Sequence, residues 1–137
     1  LDLLTEAGSG FRFIPDPSKV FGVTAAYKRN DSNDIFNDFN DYQGLKVSGY
    51  AFFQLPANFS TILYGGYDYK KYDDRIFLTG SDKTQEDNFF YAGSTLNYDL
   101  GNYVQLFFSY LYKQNYSNDL VQGYSDYVFS TGITAIF

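Results

Sequence analysis

Histidine, cysteine, tryptophan and methionine are all absent from this chain, and no uninterrupted apolar run approaches the ~20 residues that a membrane-spanning helix needs. Each absence removes a class of protein. Without histidine there is no imidazole base for a Ser-His or Cys-His mechanism. Without cysteine there are no disulfides and no thiol chemistry, although an oxidising exterior stays compatible. Basic residues are few, 10 against 16 acidic ones, and the net charge of −6 leaves no basic surface to neutralise phosphates, so no nucleic-acid partner is expected. No local arrangement suggests a Ser-Lys or carboxylate-only mechanism. The chain is therefore expected to be no enzyme and to carry no cofactor and no resident metal. It opens at Leu1 without an initiator methionine or a charged-then-apolar leader, and reads as a mature or truncated chain.

What is present in excess is aromatic. Tyrosine and phenylalanine, 15 of each, make up the whole 22% aromatic share, yet mean hydropathy is only −0.32. Both facts fit strands that hide an apolar residue at every second position. Thr5 to Ile14 alternates Ala7, Ser9, Phe11 and Phe13 against Glu6, Gly8, Gly10 and Arg12. Val20 to Lys28 sets Phe21, Val23, Ala25 and Tyr27 against Gly22, Thr24, Ala26 and Lys28. Tyr42 to Phe53 sets Leu45, Val47, Gly49, Ala51 and Phe53 against Gly44, Lys46, Ser48, Tyr50 and Phe52, with two aromatics on the otherwise polar side. Phe59 to Tyr69, Phe89 to Tyr98 and Val104 to Lys113 repeat the scheme.

The last strand, Tyr124 to Phe137, puts Tyr127, Phe129, Ile133, Ala135 and Phe137 on one side with Thr131, and Ser130, Gly132 and Thr134 on the other. Its closing run, Thr131-Gly132-Ile133-Thr134-Ala135-Ile136-Phe137, resembles the C-terminal assembly signal of bacterial outer-membrane β-barrels, with Thr131, Gly132, Ala135 and Phe137 at the signal positions. The strand, loop and strand pattern is similar to porin-like outer-membrane barrels associated with surface-polysaccharide systems. That resemblance implies an antiparallel transmembrane β-barrel in the cell outer membrane of a Gram-negative-type bacterium. It also implies lipid and lipopolysaccharide as surroundings, and the barrel-assembly machinery as a partner. Further barrel subunits or polysaccharide export components are additional candidate partners.

Connections alternate in length. Short turns near Asp16, Ala57 and Leu100 alternate with long polar loops, Asn30 to Asp41, Lys70 to Asp87 and Gln114 to Gly123. Outer-membrane barrels keep short turns inside and long loops outside, so the C-terminus is expected on the periplasmic side. In the longest loop, Arg75-Ile-Phe-Leu-Thr79 suggests a β-ribbon continuing outward to a turn at Gly80-Ser-Asp82. Tyr27-Lys-Arg-Asn-Asp-Ser-Asn-Asp34 and Tyr112-Lys-Gln-Asn-Tyr-Ser-Asn-Asp119 form an internal repeat, extended at the same offset by Asp41-Tyr42 and Asp126-Tyr127, which suggests hairpin duplication. The strand total is odd. Either Leu1 to Leu4 forms a poor eighth strand, or the chain is the C-terminal part of a larger barrel, the preferred expectation.

Candidate pore-lining residues on the polar side are Arg12, Lys28, Lys46, Asp68 and Lys113. The lysines at strand ends, Lys28, Lys70 and Lys113, have a second reading as anchors to head groups or lipopolysaccharide phosphates. The acidic loop residues Asp31, Asp34, Asp38 and Asp41 offer oxygens to calcium, but without the spacing of a calcium loop; a solvated surface is the plainer reading. Two aromatic bands are expected, Tyr27, Tyr67, Tyr69, Tyr110 and Tyr112 at one rim and Phe13, Phe21, Phe53, Phe59, Tyr98, Tyr103 and Phe137 at the other. Tyr50, Tyr64 and Tyr91 on the polar side either stack on sugars or pack inside the barrel. The expected function is a porin-like channel or export conduit for a hydrophilic solute, surface polysaccharide among the candidates. The alternative is a small plugged structural or adhesion barrel whose external loops bind a partner. A soluble ligand-binding barrel ranks third, because it needs an apolar interior and a charged exterior.

Overall fold

A computed structural model describes residues 3–32, 40–76 and 84–135 of the chain. Alternating apolar and small polar residues, many of them β-branched or aromatic, pair here into seven strands: β1 Leu3–Asp16, β2 Lys19–Asp31, β3 Tyr42–Gln54, β4 Phe59–Ile76, β5 Thr84–Leu100, β6 Val104–Ser117 and β7 Tyr124–Ala135. They form one antiparallel meander in sequence order, and no helix occurs among the described residues. β1 and β7 do not pair with each other, so the sheet is open at two edges. The all-β, antiparallel part of the expectation is shown. A closed barrel is not.

Two of the short connections are built by local chemistry. At Asp16-Pro17-Ser18-Lys19 the proline fixes φ, the Ser18 amide donates to Asp16 Oδ1 at 2.9 Å, and Lys19 pairs with Asp16 at 3.3 Å. At Pro56-Ala57-Asn58-Phe59 both central residues take left-handed φ, 59° and 64°, as a two-residue hairpin turn requires. The Phe59 amide closes it onto the Pro56 carbonyl at 3.4 Å. Gly101, at φ 69°, supplies the same left-handed conformation between β5 and β6 without a Cβ to clash.

The expected strands are found, and β1, β2, β4, β5 and β6 are longer at their loop ends. β4 runs on to Ile76 and β5 starts at Thr84, with a register irregularity between Lys71 and Ile76, so most of the expected Lys70 to Asp87 loop is a β-ribbon. The turn expected at Gly80 to Asp82 lies outside the described residues. Leu3 and Leu4 open β1 opposite Asp31 and Asn30, so they are not part of a separate eighth strand.

The repeat is only half structural. Tyr127 pairs with Tyr112, whereas Tyr42, its counterpart, pairs with Asn30 and not with Tyr27. That odd shift turns Tyr42 to the opposite face from Tyr127, because side chains alternate along a strand. The outgoing strands β2 and β6 correspond; the returning strands β3 and β7 do not.

Candidate functional site

Residues directly opposite one another in an antiparallel pair share a face, so the register sorts every strand side chain into one of two surfaces. One surface carries Phe11, Val23, Gly49, Gly65, Ala92, Tyr112 and Tyr127 in a single cross-strand row. From Thr5 to Phe13, Phe21 to Tyr27, Gln43 to Phe53, Phe59 to Tyr69, Asn88 to Leu100, Val104 to Tyr116 and Ser125 to Ala135, this face holds no Asp, Glu, Lys or Arg. It is also uncovered: Phe11 is 70% exposed and Ile133 72%, and no apolar side chain among the described residues is buried. The apolar side chains of this face therefore stand together as one uncovered surface.

Aromatic rings gather at both ends of that apolar face. At the short-turn end Phe13 stacks on Phe21 with centroids 6.4 Å apart, Phe21 meets Phe53 edge-on at 5.6 Å, and Phe59 meets Tyr98 at 4.6 Å. At the loop end Tyr67 and Phe90 lie 4.7 Å apart, and Tyr127 contacts Tyr112 at 5.0 Å. Between the bands lie Ser9, Ala25, Val47, Leu63, Leu96, Phe108 and Thr131. Phe137 lies outside the described residues.

Within these stretches the charges lie on the opposite face. Arg12, Lys28, Lys46, Asp68 and Lys113 all fall on it: Arg12 opposite Gly22, Lys46 opposite Asp68, and Lys113 between Tyr91 and Asp126. Lys28 and Asp68 are brought into contact, Nζ to Oδ2 3.1 Å, with side chains only 13% and 15% exposed. They belong to strands that are not neighbours. Lys28 reaches across β3 beside its register partner Gly44, where no side chain stands in the way. Asp68 Oδ1 is buried without a hydrogen bond. Lys70 also faces this side, with its ammonium 5.1 Å from the centre of the Tyr42 ring. Lys28, Lys70 and Lys113 thus share the polar face.

Four aromatic residues of the polar face have a specific partner that alternation alone does not reveal. Tyr50 lies opposite Gly22, Tyr64 opposite Gly93, Tyr91 opposite Gly66 and Phe107 opposite Gly132. A Cβ on Gly66 would stand 2.6 Å from the Tyr91 hydroxyl, and one on Gly22 would stand 2.2 Å from the Tyr50 ring. Each ring folds onto a bare stretch of backbone, covering a glycine that has no side chain of its own to pack. Rings that lie along the sheet occupy little of the space in front of it.

The proposed assembly-signal residues have local structural partners as well. Thr131 Oγ1 donates to the Phe107 carbonyl at 3.1 Å, Gly132 lies beneath the Phe107 ring, and Ala135 faces Val104. In the acidic loop, Asp41 Oδ1 accepts from the Ser32 amide at 2.6 Å and from the Ser32 hydroxyl at 2.7 Å, which holds its carboxyl below the ordinary value. Asp31 ends β2 on the apolar side opposite Leu3, and Asp34 and Asp38 lie outside the described residues. Sequence reasoning missed Arg29 and Lys71, which share one row of the apolar face with Gln43 between them. Their odd positions, in step with Tyr27 and Tyr69, were the available signal.

Comparison with family models, with curated proteins and with solved structures finds no match for this chain.

Proposed function

We propose that this sheet is a section of wall of a transmembrane β-barrel in the outer membrane of a Gram-negative-type bacterium, serving as a porin-like channel or export conduit for a hydrophilic solute, surface polysaccharide among the candidates. One observation carries the reading: across all seven strands the charges within the belt lie on a single face, and the other face is apolar, exposed and edged by aromatic rings at both ends. A strand stretch of about eleven residues at ~3.3 Å each, tilted by about 40°, spans roughly 25 Å, the height of the apolar band of such barrels.

Closure constrains the rest of the wall. β1 and β7 run in the same direction, so joining them directly would make a parallel pair. Antiparallel closure takes an odd number of further strands between β7 and β1, in keeping with an even total. The polar face then lines the lumen, with Arg12, Lys28, Lys46, Asp68 and Lys113 as lining charges and the tyrosines folded onto the wall. This reading includes no enzymatic activity. It gives Thr131, Gly132, Ala135 and Phe137 to recognition by the barrel-assembly machinery.

The test is conductance of the protein reconstituted in planar bilayers. Steady, ion-conducting steps whose selectivity changes when Lys46 and Lys113 are replaced by glutamate are expected. Correct insertion with no conductance would replace the channel by the plugged barrel whose loops bind a partner.

A further inference from the structure

Where the polar face reaches the loop end, two neighbouring cross-strand rows meet: Asp68, Phe89, Asn115 and Tyr124 in one, Lys70, Asp87 and Ser117 in the other. Asp68, Lys70, Asp87, Phe89, Asn115 and Tyr124 line a cavity of about 320 Å³. Two of its polar groups are held in place by partners of their own. Gln85, only 1% exposed, donates from Nε2 to both carboxylate oxygens of Asp87 at 3.0 Å. Asn115 donates from Nδ2 to the Gln122 carbonyl at 2.8 Å. A carboxylate and an amide fixed in this way lose little freedom when a ligand binds. Phe89 supplies the apolar part of the lining. Its ring leans on Tyr91, 5.9 Å away, and Tyr64 in the next row continues the aromatic surface down the face.

Resting on the reading of this face as a lumen wall, we infer that the cavity binds a neutral saccharide, one sugar ring stacked on Phe89 with its hydroxyls bonded to Asp87, Asn115 and Tyr124. Charge balance selects the ligand. Asp68 is paired with Lys28 at 3.1 Å, and Asp87 stands directly opposite Lys70, so a cation, an anion or a zwitterion meets no uncompensated group of opposite sign. The same balance holds over the paired rows of the whole face, where Arg12, Lys28, Lys46, Lys70 and Lys113 are matched by Glu6, Asp68, Asp87, Asp99 and Asp126. A divalent cation would find two carboxylates with two ammonium groups beside them, too few oxygens and too much opposing charge. The remaining polar groups ask for a partner that both donates and accepts: Asp87 only accepts, Lys70 only donates, and Asn115 and Tyr124 do either. The Phe89 ring asks for an apolar side, because its electron-rich face attracts C–H groups. A sugar ring, with hydroxyls around its edge and C–H groups on its face, meets both demands without a net charge.

The absence of tryptophan allows a direct test. Phe89→Trp places the sole indole in the cavity and keeps an aromatic surface there, and Thr95→Trp places one farther down the same strand on the same face. Each variant is folded into phosphatidylcholine vesicles, and its emission is followed while maltohexaose, laminarihexaose, hexagalacturonate or glycine betaine is added. The inference predicts a saturable emission change at Phe89→Trp with at least one of the two neutral sugars, and none with the acidic sugar or the zwitterion over the same range. It predicts no saturable change at Thr95→Trp. Adding Asp87→Ala should weaken binding roughly tenfold, the loss of one hydrogen bond to a charged group, and Asn115→Ala, which leaves every charge in place, should weaken it as well. No saturable change with either neutral sugar, an equal response to hexagalacturonate or glycine betaine, or binding that both alanine variants leave unchanged overturns the inference; if the same protein conducts in planar bilayers, the channel reading stands without it. Saturable binding by a protein that inserts but does not conduct supports the inference and places the site at the mouth of a plugged barrel. Failure to insert overturns the membrane reading and the inference with it.

Discussion

Lys28 on β2 and Asp68 on β4 form a 3.1 Å ion pair across β3, a strand that belongs to neither. The pair ties three strands together on the polar face, and Gly44 makes it possible by leaving the path over β3 empty. Replacing Asp68 with alanine removes the partner of a mostly buried ammonium and is expected to destabilise the folded protein by about 2 kcal/mol, less than a fully buried pair because the face is open to water. Asp68→Ala combined with Lys28→Met should recover much of that loss. Urea unfolding in detergent micelles or vesicles measures both, and equal cost in the single and double variants would show that the pair contributes nothing.

The glycine and tyrosine partners make a reciprocal prediction. Gly66→Ala puts a methyl group where the Tyr91 hydroxyl and ring already stand, 2.6 to 2.7 Å away, and should cost about 1–3 kcal/mol. In a Tyr91→Ala background the same substitution should be nearly neutral, because the ring it displaces is gone. The coupling energy from that double-mutant cycle is the readout; additive costs would mean that the ring does not rest on the glycine.

Much of this architecture was legible in the sequence because period-two alternation is a strong signal wherever one face is apolar. It faded where both faces are polar. Past Tyr69, the run Lys70-Lys71-Tyr72-Asp73 is polar on either side, so the continuation of β4 to Ile76 had no period to reveal it beyond the apolar patch that suggested a ribbon. Asn118 shows a second limit: its backbone amide donates to the Glu86 carbonyl at 3.2 Å, its side-chain oxygen accepts from the Glu86 amide at 2.8 Å, and its side-chain nitrogen donates to the Thr84 carbonyl at 3.0 Å. A side chain that stands in for a strand leaves no periodic trace. The Lys28 and Asp68 contact depends on what lies between two non-adjacent strands, which spacing along the chain does not encode.

Ala57 sits at φ 59° in the β3 to β4 turn, a conformation that its Cβ disfavours by about 1–2 kcal/mol. Ala57→Gly should therefore raise stability by about 1 kcal/mol once the greater freedom of glycine in the unfolded chain is subtracted. A shift of the urea midpoint to higher concentration, with unchanged slope, checks it; a shift to lower concentration contradicts it.

Asp41 gives a pH dependence with a definite sign. Hydrogen bonds from Ser32 stabilise the carboxylate, so the folded pKa lies below its ordinary 3.8. The contribution to stability is present above that ordinary value and is lost as pH falls through the lower folded one. The Ser32 amide resonance followed by NMR should titrate with a midpoint below 3.8. A Ser32→Ala variant should move the Asp41 midpoint upward, and an unchanged midpoint would remove the role assigned to these bonds.

What the apolar face touches decides whether this sheet belongs in a membrane. Phe108, 52% exposed on that face, and its chain neighbour Ser109, on the polar face, allow a paired measurement of folding free energy into phospholipid vesicles. Phe108→Arg is expected to cost about 2–4 kcal/mol and Ser109→Arg no more than about 1 kcal/mol. Equal costs, or a larger cost at Ser109, would mean that hydrocarbon does not lie against Phe108 and would contradict the membrane reading.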